Sequence, residues 1–281
     1  MTPPLAHGDA TPISELASAW TAEPVVLTAA ALAAALFAQA FLRLRRRGRG
    51  DHAGAAHAWL FAAGLAVLTL ALVSPLDAVG EEYLLSGHML QHVLVGDLAP
   101  ALLLVAVRGP LTFFLLPRPL LRALARPRPL RAALALLLRP WTSLAVWALV
   151  MAAWHVPAAY EATLGRRPLH DLEHASFLLA GVLVWAQLVD PARRAELSRA
   201  GRLALAIALF AAGQLLAYVL ILSFDPLYGA YAAQDERLLG LSPLTDQRLA
   251  GLVMMVEQLL TLGTCAAILI RGELRTRLVH T

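Results

Sequence analysis

Five of the nine histidines fall into three short motifs: His88 and His92 in HMLQH, His155 in WHVP, and His170 and His174 in HDLEH. Residues four apart on an α-helix differ by about 40° around the axis and by about 6 Å along it, so each paired motif puts two imidazoles on one face. Such a pair can bind a metal ion or line a polar cavity. Imidazole suits copper, zinc, iron and nickel, and thioether shifts the preference towards Cu(I). Met89, Met151, Met254 and Met255 lie near these motifs or in the last apolar stretch. The chain has one cysteine and no CxxC or CxC motif, so it offers neither an intramolecular disulfide nor a thiolate metal site. Cys265 sits inside an apolar stretch and reads as a small packed residue. Soft-metal chemistry here must rely on His and Met.

The elements that position these groups follow from composition. The 281 residues are 59% hydrophobic and 15% charged, with a mean hydropathy of +0.66, too apolar for an ordinary water-soluble domain. Apolar stretches at 25–42, 56–73, 84–107, 141–155, 172–189, 203–222 and 249–270 predict an all-α polytopic membrane bundle of seven transmembrane helices. Residues 1–24 lack the basic start of a cleavable signal peptide and read as an exposed tail. One transmembrane domain spans 25–270, and 271–281 forms a cytoplasmic tail. The Pro-punctuated, Arg/Leu-rich segment 108–140 reads as a cytoplasmic loop or an interfacial amphipathic helix meeting anionic lipid.

Charge placement gives the orientation. All 23 basic residues are arginine. With the N-terminus outside and the C-terminus inside, nineteen of them fall on the cytoplasmic side, among them Arg43, Arg45, Arg46, Arg47 and Arg49 straight after the first span. Only Arg166, Arg167, Arg237 and Arg248 fall outside, as the positive-inside rule requires. The net charge of +4 therefore reports topology and not nucleic-acid binding. Thirteen acids, including Asp77, Glu81, Glu161, Asp171, Glu173 and Asp246, fall on the outer side or in the N-terminal tail. This makes an outer face that attracts metal cations or a basic partner.

The same topology puts all five motif histidines at one depth, in the outer leaflet, although they come from three spans. Polar groups in a membrane normally face a bundle interior or a wet cavity. His7, His52, His57 and His280 lie in tails or near the inner surface without a useful partner. The last span carries a second polar stripe. Taking Asp246 as zero, Gln247, Met254, Glu257 and Gln258 lie at about 100°, 80°, 20° and 120°, a single protein-facing sector. Glu257 near mid-membrane could relay protons, balance a cation or pair with another helix. Asp97 lies about 180° from His88 and should meet a different neighbour or begin a break before Pro100.

SPLD (74–77), HMLQH (88–92), WHVPAAY (154–160), HDLEH (170–174), FDPLYGAY (224–231) and TDQRLAGLVM (245–254) occur in the order found in the CtaG-like cytochrome c oxidase assembly factors of bacterial membranes. The chain resembles that multi-span family over about 75–260, and not the unrelated single-span copper chaperone, whose cysteine pair is absent. The resemblance implies maturation of haem-copper oxidases, with copper delivery, in the bacterial plasma membrane. It implies His88, His92, His155, His170, His174, Asp246 and Gln247 as the characteristic polar positions. MMVEQ (254–258) departs from the pattern, so Met255 and Glu257 rest on the residues alone.

The leading expectation is an assembly factor and not an enzyme. It holds copper, as Cu(I), on His88, His92, His155, His170 and His174, with Met89, Met151, Asp246, Gln247, Met254 and Glu257 in support. Its expected partners are cytochrome c oxidase subunits and membrane lipids, with a second copy of the chain as a further candidate. The alternatives are a haem-binding protein with axial histidines, a membrane metalloenzyme, or a proton-coupled transporter using Glu257 or Asp97. No HExxH motif and no internal repeat speaks for the last two. The topology is tested with fusions. Alkaline phosphatase, which matures only outside the cytoplasm, should be active after Gly240 and inactive at the C-terminus; the opposite pattern overturns the orientation.

Overall fold

The computed structural model describes residues 11–234 and 236–279, with side chains through Arg275. His7, Asp9, Asp235 and His280 lie outside the described residues. Every regular element among the described residues is helical. They are α1 (Pro24–Arg46), α2 (Ala55–Val73), α3 (Leu76–Glu82), α4 (Leu85–Val93), a π-turn at Leu94–Leu98, and α5 (Ala99–Ala106). The short α6 (Pro110–Phe114), α7 (Arg118–Ala125) and α8 (Arg128–Leu137) follow. Next come α9 (Pro140–Trp154), α10 (Pro157–Leu164), α11 (Arg167–Val189), α12 (Arg199–Leu222), α13 (Gly229–Ala232) and α14 (Pro243–Val279). Proline occupies the first turn of α1 and of each helix from α6 to α11, where its fixed φ suits the helix and its missing N–H removes no intrahelical bond, whereas Pro100 lies inside the continuous stretch Leu85–Ala106 just after the π-turn.

Six helical stretches are long and apolar enough to cross a membrane: Pro24–Arg46, Gly50–Val73, Leu85–Ala106, Arg167–Val189, Arg199–Leu222 and Pro243–Arg275. The seventh differs from the sequence expectation. α9 has 15 residues, about 22 Å at 1.5 Å per residue, which is short for a hydrocarbon core of about 30 Å. It passes as a span only together with α8, from which it bends by 77°. The 108–140 segment is thus neither one loop nor one helix but three short helices, and α7 and α8 bury no residue. The last helix runs through position 270 without a break. The N-terminal tail is exposed over most of its described length, yet Leu16 is buried against Tyr83 and Leu84.

The bundle has two chemically different ends. At one, the arginine-rich connections meet: Gln39 donates to the Phe114 and Leu115 carbonyls, the Gly109 N–H to Pro191, and Arg199 to the Gly272 carbonyl. His57 belongs to this end, its Nδ1 2.7 Å from the Ala106 carbonyl. The three histidine motifs gather at the other. Between the ends runs the buried stripe of α11, in which His170, Glu173 and His174 are succeeded by Phe177, Gly181 and Trp185 at helical spacing. A Cβ on Gly181 would lie 1.9 Å from the Gly96 carbonyl oxygen, so glycine is what lets α11 touch the π-turn. Gly181→Ala should lower stability by about 1–3 kcal/mol, read as a lower Tm in detergent; an unchanged Tm would show that the contact is slack.

Candidate metal centre

α4 and α11 build the centre, each through an i,i+4 histidine pair. His88, His92, His170 and His174 are 0%, 4%, 4% and 7% exposed, so the two pairs face each other in the interior. Ring centroids lie 4.3 Å apart for His88 and His92, 4.1 Å for His170 and His174, 5.4 Å for His88 and His170, and 5.5 Å for His92 and His174. Glu173, fully buried, completes the group: its carboxylate oxygens lie 3.7 Å from His88 Nε2 and 3.6 Å from His92 Nε2. Sequence reasoning placed Glu173 among the outer surface acids and missed this role. The signal was present, because Glu173 is three residues after His170 and therefore on the same side of α11.

Two triads that share His88 have donor atoms within 4.8 Å of one another, His88, His170 and His174, and His88, His92 and Glu173, and a third joins Asp77, Glu81 and His170. Donors held at about 2.1 Å by one ion can be no more than about 4.2 Å apart, so small side-chain adjustments suffice to gather either His88 triad. The hydrogen-bond inventory points the same way. The Nε2 atoms of His88, His92, His170 and His174 and both oxygens of Glu173 are buried without a hydrogen-bond partner. Leaving one buried polar atom unsatisfied is unfavourable by about 1–3 kcal/mol. Six such atoms face the same interior region between α4 and α11.

An outer layer orients the rings. His170 Nδ1 lies 2.6 Å from Glu81 Oε1, which places the ring hydrogen on Nδ1 and leaves the Nε2 lone pair facing the cluster. Such carboxylate–imidazole pairs are the usual support of metal-binding histidines. Asp77, one turn before Glu81 on α3, accepts from Gln91 Nε2 at 2.6 Å. Burial pushes the Asp77 carboxyl above its ordinary range, and the neighbouring Glu81 adds to this. Tyr160 and Tyr231 close the far side, hydroxyl to hydroxyl at 2.9 Å, and Tyr231 donates to the Gly80 carbonyl at 2.6 Å. Burial raises both phenols well above their usual range, so they stay neutral donors. A Cβ on Gly80 would come within 2.9 Å of the His88 backbone, so glycine lets α3 and its acids approach α4.

The other expected residues divide. His155 belongs to neither triad. Its Nδ1 is bonded to the Met151 carbonyl at 2.8 Å, its Nε2 is buried and unpartnered, and it lines a cavity of about 20 Å³ beside the cluster. Met89, Met151, Met254 and Glu257 line the same cavity, together with His92 and Asp97. Asp97 is held by Trp185 Nε1 at 2.5 Å and Thr261 Oγ1 at 3.2 Å, so it meets other neighbours than the histidines.

Asp246 and Gln247 are structural. Asp246 accepts from the Leu85 N–H at 2.7 Å and from the Ser86 N–H and hydroxyl, capping α4 from a helix 160 residues away. Gln247 accepts from the Leu227 N–H at 2.6 Å and donates to the Leu220 carbonyl. Glu161 accepts from the Gly229 N–H at 2.6 Å in the same manner.

The fold and the centre together define a multi-span membrane protein with a buried histidine and carboxylate cluster at one end. Residues 35–276 match the family described as cytochrome c oxidase caa3 assembly factor (Caa3_CtaG), and the chain belongs to that family. No curated protein and no solved structure matches the chain.

Asp246→Ala should remove the α4 cap and lower stability by roughly 0.5–2 kcal/mol, with Asp246→Asn recovering part of the loss through its amide oxygen. Thermal unfolding in detergent measures both. Equal losses in the two variants would argue against capping.

Proposed function

We propose that this chain takes up copper at the histidine end of the bundle and passes it to a subunit of a haem-copper cytochrome c oxidase during its assembly. Membership of the family supplies the oxidase. The observation that supports copper is the convergence of four buried imidazoles and Glu173, none of whose facing atoms has a hydrogen-bond partner. Copper is cargo here and not a resident cofactor, and no catalytic step is required of the chain.

The chemistry suits the role. A ligand set of nitrogen and carboxylate oxygen, without thiolate, cannot be lost to disulfide formation in an oxidising compartment and suits an ion that must be released again. The histidine rings lie against one another, an arrangement that favours a single ion over a macrocycle inserted between two axial ligands. The arginine-rich end of the bundle fixes the cytoplasmic side by the positive-inside rule. Copper then enters and leaves at the outer face of the bacterial plasma membrane, where exposed acids such as Asp171 attract cations.

Purified protein should bind about one or two copper ions per chain, a number set by the two overlapping triads. His88→Ala/His92→Ala and His170→Ala/His174→Ala should each lower the number of copper ions bound. In cells, deleting the chain should lower the copper content and activity of the oxidase, and added copper should restore them in part. Unchanged copper in both double variants, or a fully copper-loaded oxidase in the deletion strain, overturns the proposal.

A further inference from the structure

The cavity beside the histidine cluster has a different donor chemistry from the cluster itself. Three of the five methionines in the chain converge on it from three helices: Met89 on α4, Met151 on α9 and Met254 on α14. His92 and His155 join them. His92 is 4% exposed, and neither of its ring nitrogens has a hydrogen-bond partner. His155 is fixed through Nδ1 on the Met151 carbonyl, which leaves an unpartnered Nε2 lone pair. The volume of about 20 Å³ is that of a single water-sized body.

Charge gives an independent argument. Asp97 and Glu257 also border this cavity and lie within hydrogen-bonding reach of one another. Among the described residues no arginine pairs with either carboxyl. A negative pair at this depth in a lipid-surrounded bundle requires a proton, a cation or both as compensation. One shared proton leaves a single negative charge, which one monovalent cation would cancel.

We propose that this cavity is a second metal position, separate from the histidine and Glu173 cluster, and that it takes a soft monovalent ion of the Cu(I) class on methionine sulfur and imidazole nitrogen. Asp97 and Glu257 supply its counter-charge. Thioether selects this class over divalent zinc, which the nitrogen and oxygen donors of the cluster accept. His92 connects the two positions, with Nε2 3.6 Å from Glu173 and its ring on the cavity wall. The identity of the ion as copper rests on the function proposed above; the softness of the site does not.

The test uses the full chain in detergent, stripped of metal, in a Cys265→Ala background that removes the one thiol. Ag(I) serves as the redox-inert probe of the soft position and Zn(II) as the probe of the cluster. Ag(I) absorption spectra should show sulfur in its first shell. A Met89→Leu/Met151→Leu/Met254→Leu variant should lose that sulfur signal and weaken Ag(I) binding at least about tenfold, with Zn(II) binding kept as evidence of folding. Should the triple variant fail to fold, the three single Met→Leu variants should each reduce the sulfur signal. An Ag(I) shell of nitrogen alone in the parent, or a sulfur signal that survives the methionine substitutions, overturns the proposal. Loss of Zn(II) in His170→Ala/His174→Ala with the Ag(I) sulfur signal retained supports two separate positions. Zn(II) failing to bind the parent while that signal persists removes the cluster reading and leaves this one in place.

Discussion

A carboxylate that is fully buried inside a lipid-surrounded helix bundle must be compensated, and Glu173 is in that condition. Its ion-pair-range neighbours among the described residues are His88 and His92, at 3.7 and 3.6 Å, and it receives no hydrogen bond. Water hydrates such groups in a soluble protein, whereas lipid does not, so the compensation must come from within the bundle or from a bound cation. The rest of the histidine end is arranged around this need. α3 brings Glu81 to orient His170, and α10 and α13 bring Tyr160 and Tyr231 to shut out the apolar phase. A purely structural polar network would close its hydrogen bonds, because a half-satisfied one is worse than an apolar core. Here Glu81, Asp77 and the two tyrosines have partners, whereas the converging atoms of the inner layer have none.

That division separates two kinds of polar residue that look alike in sequence. Asp246, Gln247 and Glu161 spend their oxygens on backbone N–H groups, at the start of α4, before α13 and at its first turn. Each bond joins segments distant in the chain, so these residues hold the histidine end together at a depth where free backbone groups are poorly tolerated. Glu173 and the four clustered histidines spend nothing on the backbone through the atoms that converge. Their burial without partners makes sense only if the position of the helices is fixed by other contacts, and the Gly181 approach to Gly96 and the Asp246 cap provide such contacts.

Much of this was legible in the sequence. The seven apolar stretches, the arginine asymmetry and the i,i+4 histidine pairs are patterns with a fixed geometric meaning, and the motifs carried the family. The 77° bend before α9 was not legible, because a proline-rich stretch between two apolar ones is compatible with a loop, an interfacial helix or a broken span. The π-turn at Leu94–Leu98 was legible only as a break before Pro100, since nothing in LVGDL itself distinguishes it from a regular helix. Glu173 and Glu81 were missed for another reason. Counting acids by side treats every carboxylate near a membrane surface as solvated; for Glu173 the three-residue spacing from His170 was the overlooked signal, and for Glu81 only the packing of α3 shows that it points inward. Asp246 was placed correctly at the mouth of the bundle, but its role depends on which helix start lies opposite, which periodicity within α14 cannot reveal.

The sequence of donors along the bundle axis carries its own chemical sense. Carboxylates and imidazoles dominate at the histidine end, and methionine sulfur enters beside and beneath them: Met89 lies between His88 and His92 on α4, Met151 one turn inward of His155 on α9, and Met254 two turns after Asp246 on α14. Hard donors near the surface compete with water for a hydrated ion, whereas thioethers retain a soft ion after the water has gone. His92 and His155 stand at the change from one environment to the other, and each keeps an unpartnered Nε2. A graded donor set of this kind lowers the barrier between neighbouring positions, because an ion can gain one ligand before it releases the last. For a protein whose family works in oxidase assembly, exchange of that kind is of more use than tight retention, and the absence of thiolate in the donor set is consistent with it.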